Sequence, residues 1–193
     1  MVEAIVLAAG RGTRFGGVKP LARVGGATVL SRTVEALRGA GLTRIAVVVG
    51  HRADVVGAEA RRLGCAVIEN PAYATGMAGS LRAGIQAVSP GADGFLVVHA
   101  DMPFLRAETV RAVLAAAADG ASIARAVLDD RPGFPVYFRV PHAAPLVASV
   151  NGDRGARDYI AAHASELVPV RVEDRGSVDD VDTPEELVEG RRR

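Results

Sequence analysis

The sequence is short of several residue types, and each shortage excludes a class of protein. Cys65 is the only cysteine in 193 residues, which excludes an intrachain disulfide, and its apolar neighbours favour a buried, inert thiol. Tryptophan is absent and aromatic residues amount to 4%, so few side chains could stack on single-stranded nucleic acid. The formal net charge is only +1, which gives no general attraction to nucleic acid or to a membrane surface.

Long apolar runs are missing as well. No run approaches the length that spans a membrane, and Glu3 interrupts any signal-peptide pattern at the N-terminus. Hydrophobic residues nevertheless make up 49% of the chain, which is enough for a full core at this length. We therefore predict a single domain over residues 1–193, located in the cytoplasm, with neither nucleic acid nor a membrane as its partner.

Short apolar runs alternate with helical patterns along the chain. The predicted strands are Ala4–Ala8, Arg44–Val49, Ala66–Glu69, Gly94–Ala100, Ala121–Val127, Val136–Phe138 and Leu167–Val172. Helical spacing relates two further sets, Leu30, Val34 and Leu37, and Val110, Val113, Leu114 and Ala117. Continuous apolar strands alternating with helices form parallel sheets covered on both faces. The pattern therefore predicts an α/β fold, a Rossmann-like three-layer α/β/α sandwich with a mostly parallel sheet.

The alternation breaks after about Asp129. Four prolines interrupt the chain there: Pro132, Pro135, Pro141 and Pro145. We interpret this later part as a mixed addition that completes one side of the functional site, since ligands of such sheets bind beyond the carboxyl ends of the strands.

A glycine-rich loop follows the first predicted strand. Four glycines within eight residues let backbone N–H groups approach a ligand closely: Gly10, Gly12, Gly16 and Gly17. Arg14 and Lys19 add positive charge, and Lys19 is the only lysine in a chain whose other basic residues are all arginine. Lysine is a compact, mobile charge that can follow charge developing on a phosphoryl group. The loop predicts a triphosphate site; the alternative is that Lys19 is an ordinary surface lysine beside a flexible loop.

This loop matches neither of the two best-known phosphate motifs. Lys19 precedes Pro20 instead of a hydroxyl residue, and Gly16 comes one residue late for a dinucleotide motif. The second predicted strand also ends at Gly50-His51 without a ribose-binding carboxylate. Leu7 to Lys19 instead fits L-A-A-G-x-G-x-R-x-G-x-x-K, and the chain thereby resembles the MobA-like nucleotidyltransferases, which load sugars, isoprenoid precursors or molybdopterin onto nucleotides. The resemblance extends from Val2 to about Val188.

The resemblance assigns roles within the loop and in a second segment, Asn70 to Gly84. It implies that the nucleotide is bound by Leu7, Ala8, Ala9, Gly10, Gly12, Arg14 and Lys19, with Arg14 and Lys19 acting in catalysis. In the second segment a loop leads into a helix whose first turn is predicted to leave N–H groups unpaired at the pocket. Taken alone this is an ordinary helix start capped by Ser80; the resemblance implies instead that Gly79 and Ser80 contact the base.

A carboxylate, Asp101, ends another apolar strand beside the predicted triphosphate site. Carboxylate oxygens are hard ligands that suit magnesium. The resemblance implies the same for the D-x-P sequence at Asp101, which is therefore expected to bind Mg²⁺, to contact the nucleotide and to act in catalysis. The alternative, that Asp101 caps the helix after Phe104, is disfavoured because Asp101 lies too far upstream. We interpret the neighbouring His99 as a histidine packed in the core.

Three aspartates lie close together near the C-terminus: Asp179, Asp180 and Asp182. Carboxylates at this density repel one another unless a cation is near. The resemblance implies that Asp182 is the second metal ligand, with Asp180 as the alternative. Thr183 and Glu186 beside them form a capping box, so part of this motif is structural.

Two weaker motifs are expected to face the acceptor, Gly133 to Val136 and Asn151 to Arg157. The resemblance to the molybdenum cofactor cytidylyltransferases assigns Gly133, Pro135, Asp153 and Arg157 to the acceptor. The alternative is that Asp153 caps the following helix and that the arginines are solvated. Phe134 departs from the histidine or asparagine usual there, and Met102 departs from the glutamine common in the cytidylyl branch.

Together the motifs imply a magnesium-dependent enzyme that transfers CMP from CTP to the molybdopterin–molybdenum cofactor and releases pyrophosphate. Residues 1–128 would bind the nucleotide, and residues 129–193 would supply the acceptor side and the second metal ligand. The implied partners are CTP or another NTP, a phosphorylated small-molecule acceptor such as molybdopterin, and a molybdoenzyme or chaperone. Two alternatives stay open: nucleotidyl transfer from CTP or GTP to a sugar phosphate or phospholactate, and a NAD(P)H-dependent oxidoreductase, against which the missing ribose-binding acid argues.

Overall fold

A seven-stranded sheet forms the centre of the fold. The computed structural model describes residues 1–181, 183, 186 and 187. The sheet contains β1 (Val2–Ala8), β4 (Ile45–Val49), β5 (Ala66–Glu69), β6 (Gly94–His99), β7 (Ile123–Leu128), β8 (Arg131–Arg139) and β9 (Leu167–Arg171), in the order β5-β4-β1-β6-β8-β7-β9. A small separate hairpin pairs β2 (Arg23–Val24) with β3 (Ala27–Thr28). Every predicted strand is present to within two residues at its amino end except β8, which is much longer than expected.

The strand β8 is the one that runs against the others. It pairs antiparallel with both β6 and β7, whereas the remaining pairs in the sheet are parallel. Pro132 and Pro135 therefore lie inside a strand, so the expectation that they interrupt the chain was wrong. A proline cannot donate to a ladder of hydrogen bonds, and it is tolerated where the pairing is irregular. The register between β7 and β8 shifts between Arg125 and Val127, opposite these prolines.

Helices cover both faces of the sheet. They are α1 (Val29–Gly39), α2 (Ala53–Arg62), α3 (Met77–Gln86), α4 (Ala107–Ala118), α5 (Ala143–Ser149) and α6 (Arg157–Ala162). The first core packs α1, α2 and α4 against side chains such as Val6, Val47 and Leu96. The second packs α3, α5 and α6 against side chains from the opposite face, such as Ile5 and Phe95. The predicted three-layer α/β/α sandwich with a mostly parallel sheet is confirmed.

Local caps fix where several helices begin. The Thr28 hydroxyl accepts a hydrogen bond from the Ser31 N–H at 3.0 Å and so starts α1. The capping box near the C-terminus is present, since Thr183 and Glu186 exchange hydrogen bonds of 3.1 and 3.4 Å. Cys65 is buried, and burial raises the pKa of its thiol, as an inert cysteine requires.

The carboxyl ends of the parallel strands meet at one edge of the sheet. The loops that follow β1, β5 and β6 therefore gather there, and each contains a motif singled out from the sequence. The last described segment crosses the same edge, because the Val181 N–H donates to the Asp101 carbonyl at 3.1 Å. Among the helices of the described residues, none combines the length and the apolar character needed to cross a membrane.

Candidate active site

A cleft of about 450 Å³ opens at the carboxyl edge of the sheet. Its walls come from the glycine-rich loop, the loop after β5, the start of α3 and the end of β6. The residues that line it are Leu7, Ala8, Ala9, Gly10, Arg11, Gly12, Thr13, Arg14, Lys19, Pro20, Tyr73, Ala74, Gly76, Met77, Ser80, His99, Ala100, Asp101 and Asp153. Every residue expected to bind the nucleotide is among them except Gly79, which instead packs against the side chain of Asn70.

The glycine-rich loop turns sharply after β1. Gly12 has φ +55°, a left-handed conformation that glycine adopts without strain, and its carbonyl accepts from the Phe15 N–H at 2.9 Å. A Cβ at Gly12 would lie 3.3 Å from the Lys19 Cβ, whereas one at Gly10 would meet no atom within 4 Å. The loop thus folds back onto Lys19 and leaves the space beside Gly10 open.

Lys19 and Asp101 form an ion pair at the base of the cleft. The Lys19 Nζ lies 2.7 Å from the Asp101 Oδ2, and the lysine side chain is only 9% exposed. The alternative that Lys19 is an ordinary surface lysine is therefore wrong. Arg14, by contrast, is exposed on the loop.

The second oxygen of Asp101 has a different environment. Its Oδ1 is buried and, within the part of the chain that the structure describes, accepts no hydrogen bond. An unsatisfied buried carboxylate oxygen is costly in a native fold, so a hydrogen-bond donor or a cation is needed beside it. A hard cation such as Mg²⁺ suits this oxygen, and one carboxylate together with phosphate oxygens and water is a usual magnesium site. No three acidic, histidine or cysteine side chains of the described residues come together as a complete metal cage.

The C-terminal aspartates separate into different surroundings. Asp179 is paired with Arg131 at 3.5 Å and with Arg175 at 3.9 Å. Asp180 is exposed and close enough to His99 for its charge to raise the pKa of that histidine. Asp182, the expected second metal ligand, lies outside the described residues, and so does Pro184. The assignment of the second ligand to Asp182 stays a prediction.

His99 does not belong to the closed core. It follows Val98 at the end of β6, lines the cleft, and stacks at a tilt on Phe134 with 4.5 Å between ring centroids. The interpretation of His99 as a core histidine was wrong because the end of β6 lies beneath the cleft and not beneath a helix. Burial lowers the pKa of His99, which the charges of Asp101 and Asp180 oppose.

The N-terminus of α3 is capped by a loop that is distant in the sequence. The Asp153 Oδ1 accepts from the Met77 N–H at 3.1 Å, and the Gly152 carbonyl accepts from the Ala78 N–H at 2.9 Å. The N–H groups of Met77 and Ala78 are therefore paired, contrary to the expectation that this helix start leaves its N–H groups unpaired. A Cβ at Gly76 would lie 2.7 Å from the Gly152 carbonyl oxygen, so only glycine permits this contact.

Two alternatives that the sequence offered, a cap by Ser80 and a cap by Asp153 on the following helix, were wrong because each side chain is held by a residue distant in the sequence. Ser80 lies within α3, and its hydroxyl accepts from the Asn70 Nδ2 at 3.0 Å, so it is not the cap of that helix. Asp153 caps α3 and not the helix α6 that follows it. Both side chains line the cleft, and the bond between Asn70 and Ser80 ties the loop after β5 to α3.

Tyr73 and Arg11 were not identified from the sequence. The guanidinium of Arg11 lies 5.8 Å from the centroid of the Tyr73 ring, and both side chains line the cleft. Gly50 permits this placement, since a Cβ there would lie 2.4 Å from the Tyr73 Cβ. The only sequence signal was the position of Tyr73 in the loop between Asn70-Pro71 and the glycine-rich start of α3.

The expected acceptor side adjoins the cleft through Phe134. Pro135 is buried, and the Gly133 carbonyl accepts from the Arg125 Nε at 3.0 Å. Arg157 is exposed at the first position of α6. The acceptor roles of Gly133, Pro135, Asp153 and Arg157 stay predictions.

The chain is similar in sequence and in fold to several known proteins. The chain is 41% identical over 156 residues to the bifunctional protein GlmU of Azorhizobium caulinodans, a match that covers 79% of the chain and 34% of the relative. It is 29% identical over 193 residues to the nicotine blue oxidoreductase of Paenarthrobacter nicotinovorans, covering 96% of the chain and 94% of that protein. The chain spans about a third of the length of the GlmU relatives that it matches.

A solved structure covers the whole chain. Rv0371c of Mycobacterium tuberculosis superposes with a TM-score of 0.83 at 25% identity, covering 100% of this chain and 98% of that one. A structure of Rv0371c in complex with manganese superposes with a TM-score of 0.79 at 26% identity, over 97% of this chain and 96% of the other. The model of the MobA-like NTP transferase domain matches residues 4–167, from β1 to the first residue of β9. The chain therefore belongs to the family of MobA-like NTP transferase domains.

Proposed function

We propose that this nucleotidyltransferase takes CTP and a divalent cation, Mg²⁺, and transfers CMP to a phosphorylated acceptor with release of pyrophosphate. The acceptor favoured by the Asn151 to Arg157 motif is the molybdopterin–molybdenum cofactor. The observation that carries the proposal is the pair of Lys19 and Asp101 in the cleft, with the second oxygen of Asp101 buried and unsatisfied.

Each charged group has a distinct part in this scheme. The N–H groups around Gly10 and the charges of Arg14 and Lys19 bind the triphosphate and stabilise charge that develops at the attacked phosphorus. Asp101 and Asp182 would hold the cation, which supplies Lewis-acid stabilisation of the phosphate oxygens when bound. The attacking phosphate is ionised near neutral pH, so the scheme requires no general base.

Two observations support a divalent cation in this site, and the first concerns Asp101 itself. The oxygen that would bind the cation lacks any other partner among the described residues, and burying a carboxylate oxygen in that state costs free energy that a cation offsets. The manganese complex of Rv0371c also places a divalent metal on a protein of the same fold. Magnesium is the proposed physiological ion because it combines readily with one or two carboxylates and with substrate phosphates.

CTP is the proposed nucleotide because of Ala9. Ala9 lines the cleft, and its methyl group lies near Gly50, where a Cβ would be only 2.9 Å away. A larger purine beside this methyl would require backbone movement in a tight loop. One steric contact discriminates by about 1–3 kcal/mol, so GTP is expected to be a poor substrate and not an excluded one.

Binding of CTP, GTP, UTP and NADH, each with Mg²⁺, tests the proposal without an acceptor. Titration calorimetry on the wild-type chain should give the tightest binding for CTP, and Ala9→Gly should narrow the difference between CTP and GTP. Tighter binding of GTP than of CTP would overturn the choice of nucleotide. Failure of every nucleotide to bind would overturn the proposed function.

A second candidate is an oxidoreductase. The nicotine blue oxidoreductase matches this chain over nearly its full length, whereas GlmU matches over part of it. The absence of a carboxylate at the end of β4, where the chain continues as Gly50-His51, disfavours the binding of a nicotinamide dinucleotide. NADH binding stronger than CTP binding in the same titration would favour this candidate.

A further inference from the structure

Tyr73 is an aromatic residue in the wall of the cleft, and the scheme above gives it no part. It lies in the loop after β5, is half-buried, and lines the cleft together with Ala9 and Gly10. The other two tyrosines of the chain, Tyr137 and Tyr159, are buried in the cores beside the sheet. An aromatic ring that opens into a cleft offers a surface on which another flat ring can stack.

The backbone that carries this ring is fixed by hydrogen bonds. The Tyr73 N–H donates to the Asn70 carbonyl at 3.2 Å. The buried Asn70 side chain in turn accepts from the Ala72 N–H at 3.1 Å and donates to the Ser80 hydroxyl at 3.0 Å. The ring therefore has its position without a ligand, and a ligand that stacks on it loses little affinity to the ordering of the loop.

Tyr73 also lies next to Ala9, the residue that the proposed function puts beside the base. The two side chains converge on the backbone of Gly50, where a Cβ would lie 2.4 Å from the Tyr73 Cβ and 2.9 Å from the Ala9 Cβ. The neighbouring His51 contacts both residues: its N–H donates to the Ala9 carbonyl at 3.1 Å, and its ring centroid lies 6.0 Å from that of Tyr73. A flat ring bound beside Ala9 is thus within reach of the Tyr73 ring.

Arg11 shows that the cleft has room for a flat group over Tyr73. The Arg11 guanidinium carbon lies 5.8 Å from the centroid of the Tyr73 ring, and Arg11 is exposed and lines the cleft as well. A cation over an aromatic ring at an exposed site contributes less free energy than a base stacked on the same ring. A base can therefore take the place of the guanidinium.

We infer that Tyr73 stacks on the base of the bound nucleotide, in the place that the Arg11 guanidinium now takes. The inference rests on the proposed function, and it gives the two neighbours different parts: Tyr73 supplies affinity for the base, and Ala9 selects the base by size. Because every base has a π-face, the ring should strengthen the binding of CTP, GTP and UTP by a similar factor. It should contribute nothing to the binding of a ligand that consists of phosphate alone.

Nuclear magnetic resonance on the chain with isotope-labelled tyrosine rings observes this contact directly, since the chain has three tyrosines and no tryptophan. Tyr73→Leu identifies the Tyr73 signal, and the buried Tyr137 and Tyr159 serve as internal references. CTP and inorganic tripolyphosphate, each with Mg²⁺, are titrated into the wild type, Tyr73→Leu and Tyr73→Phe. Tripolyphosphate has the phosphates of the nucleotide without its base.

CTP is expected to shift the Tyr73 ring signal upfield in a saturable manner, and tripolyphosphate should move it far less. Tyr73→Leu keeps an apolar side chain but loses the ring, so it should weaken CTP binding about tenfold and leave tripolyphosphate binding unchanged. Tyr73→Phe keeps the π-face and should bind CTP within about twofold of the wild type. Thr75→Ala, an exposed substitution in the same loop, is the matched control and should bind both ligands like the wild type.

The outcomes separate this inference from the proposed function. A Tyr73 signal that does not move at saturating CTP, or CTP binding by Tyr73→Leu as tight as by the wild type, overturns the inference while the proposed function stands. Equal loss of CTP and tripolyphosphate binding in Tyr73→Leu also overturns the inference, because the ring would then only support the loop. If CTP does not bind and NADH moves the Tyr73 signal, the stacking role stands and the proposed function fails.

Discussion

Two carboxylates, Asp101 and Asp174, flank the same loop and have opposite surroundings. Asp174 is 3% exposed, and its two oxygens accept from the Arg106 N–H at 2.9 Å, the Thr109 hydroxyl at 2.6 Å and the Gly176 N–H at 3.0 Å. Asp101 has Lys19 beside one oxygen and, among the residues described, no partner on the other. The first carboxylate is satisfied by the fold, and the second retains an oxygen for something that the fold does not supply.

The difference separates a structural from a functional acid. Asp174 starts α4 and attaches the C-terminal segment to it, an attachment so close that a Cβ at Gly176 would lie 2.1 Å from the Phe104 carbonyl oxygen. That attachment brings the backbone of Val181 onto the carbonyl of Asp101. Asp174 therefore positions the segment that contains Asp180 close to Asp101.

Asp101→Asn should have the largest effect on turnover. The amide keeps the shape of the side chain but loses the charge that would hold a cation, and metal stabilisation of phosphoryl transfer is worth several kcal/mol. We expect magnesium-dependent transfer per folded molecule to fall on the order of 100-fold or more. The melting temperature should fall as well, because the substitution removes the negative charge beside the buried Lys19 ammonium. Steady-state turnover with saturating Mg²⁺ and a thermal melt measure the two effects.

Asp180→Asn is the control for that substitution and should reduce turnover less. Asp182→Asn is expected to resemble Asp101→Asn. If Asp180→Asn proves more damaging than Asp101→Asn, the second metal ligand is Asp180 and the proposed register at the C-terminus is wrong.

Substitution of the loop cations should have the next largest effect. Lys19→Ala and Arg14→Ala each remove a charge-assisted contact to phosphate and should raise the barrier by about 2–4 kcal/mol. Arg14 is exposed, so its substitution should leave the melting temperature unchanged, whereas Lys19→Ala also leaves Asp101 without its ion-pair partner and should lower it. Arg139→Ala serves as a control; near-normal turnover in either variant removes that residue from the mechanism.

Asp174→Ala should act mainly on stability. It leaves two N–H groups and one hydroxyl without an acceptor, which should lower the free energy of unfolding by about 2–3 kcal/mol. Denaturant unfolding measures that loss. Turnover per folded molecule at low temperature should fall far less than in Asp101→Asn, because the substitution only loosens the attachment of the segment that carries Asp180. Loss of turnover without loss of stability would contradict the distinction between the two acids.

Substitution of His142, which lies far from the cleft, should have the smallest effect, a change in how stability depends on pH. Its Nδ1 lies 2.7 Å from the Tyr159 hydroxyl, and Glu166 and His163 are its other titratable neighbours. Burial lowers the pKa of His142 below its ordinary value of 6.5, and the charge of Glu166 opposes this. The folded state therefore binds the proton less well than the unfolded chain, so stability is fully present above about pH 6.5 and is lost as pH falls through the folded pKa. Unfolding free energies across this range should fall less steeply for His142→Gln; an unchanged slope would exclude His142 as the cause.

Sequence reasoning predicted the sheet, and it predicted that Lys19 and Asp101 lie at the same edge of it, because parallel strands bring their carboxyl ends to one edge. It did not predict that the two side chains pair, since burial and ion pairing depend on distances that no pattern encodes. It also placed His99 in the core, and its alternative for Asp153, a cap on the following helix, was wrong. Asp153 caps a helix that begins 76 residues earlier, a contact fixed by tertiary packing and not by local spacing.

Binding of Mn²⁺ in the presence of a non-hydrolysable CTP analogue, followed by electron paramagnetic resonance, tests the role of Asp101 most directly. The wild-type chain should bind the ion together with the nucleotide, and Asp101→Asn should weaken that binding about tenfold or more. Asp174→Asn is the control, and it should still bind the metal at temperatures where the variant is folded. Equal Mn²⁺ affinity in the wild type and in Asp101→Asn would contradict the assignment of the unsatisfied oxygen to a metal.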